Sequence, residues 1–140
     1  MMDMRNASES LERLLKLARA DADALRVDLG DIERARAAAA ASLTRLAEIT
    51  KREEEAMQDD AGVDMLAYLE GERERRLQLQ ASVLTLEAAE TRARKRLEAA
   101  AMEIKKFEHL LALNAHSGRK GETRREQRAE DDAAASRRAS

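Results

Sequence analysis

The chain has no cysteine, no proline and no tryptophan, and its 140 residues include one tyrosine and one phenylalanine. Without cysteine there can be no disulfide framework and no thiolate metal site, which fits a reducing compartment. Without proline, no residue forbids helix continuation outright. An aromatic content of 1% leaves too little bulk for a thick globular core or a packed sheet. No uncharged run approaches the roughly 20 residues of a membrane-spanning helix, and the polar segment 1–10 does not read as a secretory signal. A net charge of -2 gives no general attraction to nucleic acid or to an anionic bilayer. The expectation is a soluble cytoplasmic protein with no nucleic acid partner and no direct membrane insertion.

What is present is charge, at 39% of residues, together with alanine and leucine, the apolar side chains that lose least on entering a helix. From Met4 to Met57 the sequence reads as unbroken heptads. Met4, Leu11, Ala18, Leu25, Ile32, Ala39 and Leu46 fall at d, and Leu15, Ala22, Leu29, Leu43 and Met57 at a, with Arg36 and Thr50 as the polar exceptions. Gly30 is the one helix-opposing residue there. The segment Gln58-Asp59-Asp60-Ala61-Gly62 then supplies turn chemistry. A second series follows, with Leu69, Val83, Leu97, Ile104 and Leu111 at a and Met65, Leu79, Leu86, Ala93, Ala100 and Phe107 at d. Glu72, Arg76 and Glu90 intrude on it.

This pattern predicts an all-α fold: a long antiparallel two-helix coiled-coil hairpin over residues 1–116, with helices at 4–58 and 64–116 and a turn at 59–63 centred on Asp60 to Gly62. Ser117-Gly118-Arg119-Lys120-Gly121 is expected to stop the second helix, leaving residues 117–140 as a charged, weakly ordered tail. Folding about Ala61 pairs a with d positions whose numbers add to about 122. The layers are then Leu43 with Leu79, Ala39 with Val83, Ile32 with Glu90, Leu29 with Ala93, Leu25 with Leu97, Ala18 with Ile104, Leu15 with Phe107 and Leu11 with Leu111. Arg36 and Glu90 sit in adjacent layers, close enough to pair, and such a pair sets register because slippage strands a charge in the seam.

A two-helix rod offers no pocket for catalysis. The carboxylates Glu53-Glu54-Glu55 and Asp131-Asp132 read as solvated charge, and no phosphate-binding loop or nucleophile elbow is present. His109 and His116, two turns apart, are separated by about 10 Å, too far to share one metal ion. No enzyme activity, cofactor or metal is expected. The informative residues are apolar ones that the seam does not need. Leu14, Leu17, Leu110 and Leu113 fall at g and c positions near the open end, beside Arg13 and Lys16, and Leu66 and Tyr68 lie off the seam near the tip. Both groups are candidate partner-binding surfaces.

The layout resembles the FliJ family, the small coiled-coil stalk proteins of flagellar type III export, and their injectisome counterparts. The resemblance rests on a hairpin that starts close to the N-terminus and on the cluster Met65-Leu66-Ala67-Tyr68-Leu69. It rests also on Lys105-Lys106-Phe107-Glu108-His109-Leu110-Leu111 and on the charged segment with Glu126-Gln127 and Asp131-Asp132. Ala133 departs from the larger apolar residue usual there. The resemblance implies a non-enzymatic component of the flagellar export apparatus, a stalk or chaperone that links the export ATPase ring to the membrane-embedded export gate and serves export chaperones, peripheral at the cytoplasmic face of the inner membrane. The alternative from the heptads alone is a cytoplasmic coiled-coil adaptor or oligomerising scaffold unrelated to export.

Overall fold

A computed structural model of the chain describes residues 4–57 and 63–139. It is an all-α two-helix hairpin: α1 spans Met4–Ala56 and α2 spans Val63–Ala139, with no strand among the described residues. Alanine, leucine and long charged side chains fill both helices, and proline is absent, so propensity alone favours long runs. The chain divides into two compact units, Met1–Asp23 with Glu98–Ser140 and Ala24–Leu97. In each, a stretch of α1 lies antiparallel against a stretch of α2.

The register is the expected one in both units. In the first, Asn114 Nδ2 donates to Ser8 Oγ at 3.2 Å. In the second, Thr50 Oγ1 donates to Glu72 Oε2 at 3.4 Å. Each of these pairs adds to 122. The seam is thin: Leu15, Ala22, Leu46 and Ala93 are buried, and most other a and d residues, Leu25, Leu29, Ile32, Leu97, Ile104 and Phe107 among them, are half-buried. Two helices enclose few side chains on all sides, so each half-buried seam residue contributes less than the about 1.5–3 kcal/mol of a fully buried aliphatic residue.

The helix ends differ from expectation. α1 stops at Ala56 rather than 58, its last turn closed by Met57 N–H donating to the Glu53 carbonyl at 3.0 Å, and α2 begins at Val63 with Asp64 in its first turn. The expected turn residues Asp60 to Gly62 lie outside the described residues. The larger correction is at the other end. α2 does not stop at His116 but runs through Ser117, Gly118 and Gly121 to Ala139, so the charged tail is helical. Two glycines cost only about 1 kcal/mol each in a helix, and neither adopts the left-handed conformation that would cap one. Gly118 and Gly121 also fall at the next a and d positions, where they are half-buried and share a groove with Arg5 and Ser8. From Glu122 to Arg138 every side chain is exposed.

Candidate functional site

The seam of Ala24–Leu97 brings Arg36 and Glu90 together as an ion pair, the two residues expected to set register. The carboxylate of Glu90 is 6% exposed, and it also receives Arg94, one helical turn along, at 2.5 Å. Arg94 in turn reaches Glu33 on α1 at 3.8 Å. Arg36 Nε lies against Glu90 without the alignment of a hydrogen bond, so the contact is chiefly Coulombic. The group is thus a four-residue network of alternating charge. Arg94 was absent from the sequence expectation, although its spacing of four from Glu90 is a legible signal. A buried carboxylate with two guanidinium partners adds little net stability and makes slippage expensive, because a shifted register would leave it unpaired.

In the unit containing Met1–Asp23 and Glu98–Ser140, Leu14, Leu17, Leu110 and Leu113 are all exposed, Leu17 most at 62%. Leu14 and Leu17 line one groove of about 300 Å³ with Ala18, Ala100 and Phe107. Leu110 and Leu113 occupy the corresponding g and c positions of α2 but do not line that groove. Nor do Arg13 and Lys16, which are exposed elsewhere on α1; the groove's own charges are Asp21 and Glu103. Lys106 stands over the Phe107 ring at 5.8 Å from its centroid and 4.0 Å from Glu103, so its charge is shared between ring and carboxylate. Across the unit, Arg19 meets Glu108 at 3.4 Å on the surface, where such a pair contributes about 0–1 kcal/mol.

Towards the turn, Leu66 is exposed and Tyr68 half-buried. The Tyr68 phenol is pushed above its ordinary value, first by desolvation and then by the Glu72 and Glu53 carboxylates, with Arg75 opposing them. Polar residues occupy the seam here. Thr50 is buried, and Arg76 Nε is buried without a hydrogen-bond partner among the described residues. Leu66 and Tyr68 therefore stand beside a weakly sealed stretch of seam. The charged groups facing Tyr68 are Glu72, Glu53 and Arg75.

No family model, no curated protein and no solved structure matches the chain. Any function is therefore argued from its own surfaces. Among the described residues no group of three His, Asp or Glu side chains is placed to hold a metal ion, and no helix is long and apolar enough to cross a membrane. The grooves along the seam among the described residues are open. Sequence reasoning missed several exposed apolar residues, Val27, Ile49, Leu77, Leu84 and Met102. Val27 stands between Arg26 and Asp28, and the others among polar or small neighbours; Leu77 and Leu84 are one heptad apart on the same face of α2, but scattered exposed apolar residues are ordinary on helix surfaces.

Proposed function

We propose that the chain is a non-enzymatic coiled-coil component of a flagellar type III protein export apparatus, a stalk or chaperone that joins the export ATPase ring to the export gate. The reading rests on the resemblance of its motifs to the FliJ family. The observation that carries it is the exposure of Leu14, Leu17, Leu110 and Leu113 on a slender helix pair that has no use for them in its own seam. Exposed apolar residues clustered on both helices are what a partner-binding end requires. Arg13 and Lys16 on the outer face of α1 would meet acidic surface of the ring, while the helical segment beyond Gly121, exposed all round, supplies charge for a second contact. On this reading the protein acts in the cytoplasm, peripheral to the inner membrane.

The test is stimulation of ATP hydrolysis by a purified export ATPase from the same organism. The double variant Leu14→Ser with Leu110→Ser should keep its helicity by circular dichroism and lose most of the stimulation. Stimulation that survives this change but disappears on altering Leu66 and Tyr68 would assign binding to the tip instead. A wild-type chain that neither binds nor stimulates the ATPase removes the export reading and leaves a coiled-coil adaptor of another system.

A further inference from the structure

A second surface, in Ala24–Leu97, carries charge of opposite sign on its two sides. A groove of about 340 Å³ has Leu25, Ile32 and Ala93 along its floor; α1 contributes Asp28 and Asp31 to its lining, and α2 contributes Arg92 and Arg96. The two sides do not pair with each other. Asp31 is held by Arg34 of its own helix at 2.5 Å, and Asp28, Arg92 and Arg96 make no ion pair among the described residues. Unlike the Glu90 network on the seam, these charges form no bridge between α1 and α2 among the described residues. They flank a shallow strip in which Leu25 and Ile32 are half-buried and Ala93 is buried.

The arrangement selects its occupant. A helix laid on the floor would have to present cations towards α1 and anions towards α2, and a second copy of this chain presents both. Rotating the helix pair by half a turn about an axis parallel to the helices sets α1 of one copy over α2 of the other, and the reverse on the far side. The heights agree as well. In the register shown by Thr50 and Glu72, Asp28 is level with position 94, midway between Arg92 and Arg96. One heptad further along, the same two edges hold Ala35 and Ala38 on α1 and Ala89 and Thr85 on α2, short side chains that admit close approach of another helix pair. Turning the second copy end over end about this height would instead stack α1 on α1, with Asp28 and Asp31 against their own counterparts, whereas the two-fold along the helices brings like charges together only further along, at Arg45 and Arg75.

We propose that this groove is a self-association surface, through which two copies pair about a two-fold axis along the helices, with Asp28 and Asp31 of each copy facing Arg92 and Arg96 of the other. The inference is independent of the export reading, since dimerisation and ATPase stimulation are measured separately and either can fail alone. The experiment is sedimentation of the full chain across concentrations, using two variants built from good helix formers. Asp28→Lys with Asp31→Lys places cations on both sides of the groove, and Arg92→Glu with Arg96→Glu places anions there. Each variant alone should dissociate at least roughly tenfold more readily than the wild type, as opposed like charges require, and an equimolar mixture of the two should recover the dimer because both interfaces are again complementary. Circular dichroism of each variant separates loss of association from loss of folding. A wild-type chain that stays monomeric at concentrations on the order of 100 μM overturns the proposal and leaves the groove to a helix of another protein. Variants that dimerise as tightly as wild type, or a mixture of folded variants that fails to pair, overturn it equally.

Discussion

Arg76 stands level with Leu46 in the seam of Ala24–Leu97, and its Nε is buried with no hydrogen-bond partner among the described residues. Arg36, at an equivalent kind of position, has Glu90 beside it; among the described residues Arg76 makes no ion pair. An unsatisfied buried donor costs about 1–3 kcal/mol. Arg76→Leu, which removes the donor and extends the apolar layer at Leu46, should therefore raise stability by about 1–2 kcal/mol in urea melts, and a fall would mean that the guanidinium has a role in the fold. The contrast between neighbours on α1 is equally specific. Leu15 is 7% exposed and Leu17 62% exposed. Leu15→Ala should cost about 2–4 kcal/mol and Leu17→Ala under about 1 kcal/mol. Equal losses at the two sites would show that Leu17 is covered in solution. Both contrasts were partly legible in the heptads, which place Leu15 at a and Leu17 at c. That Glu90 is buried while its fellow intrusion Glu72 is only half-buried follows the same register, which brings Arg36 beside Glu90 and Thr50 beside Glu72.

The two helices show where local sequence decides and where it does not. α1 is helical from the first described residue, Met4, and Gly30 sits inside it, where a β-carbon would meet only the flexible end of Arg34 at 3.4 Å. At Gly118 and Gly121 the local rule was misleading. Glycine near a run of charge is a usual sign of a helix end, yet the left-handed cap that glycine most often supplies is not adopted here and no proline follows. Because Gly121 has open space around the position of a β-carbon, Gly118→Ala with Gly121→Ala should deepen the helical ellipticity and stabilise the segment by about 0.5–1 kcal/mol per site. If residues beyond Ser117 were unfolded in solution, ellipticity and melting would both stay unchanged.

For the molecule as a whole, the sequence by itself determined the all-α class, the antiparallel pairing of α1 with α2 and the register of the seam. Those follow from a seven-residue apolar repeat interrupted once by turn chemistry, and from the need of large side chains to face smaller ones; Ser8 with Asn114 and Thr50 with Glu72 keep that register in their respective units. Only the tertiary structure decided which surface residues act together. Leu14 and Leu17 join Phe107 in one groove, and Asp28 and Asp31 line another with Arg92 and Arg96, although each pair is far in sequence from the residues it meets. The physical reason is that seam positions are selected by burial, which leaves a periodic trace in one helix read alone. The flanking g and c positions are exposed in either helix by itself, and acquire chemical meaning only when the facing helix supplies the opposite wall at a matching height.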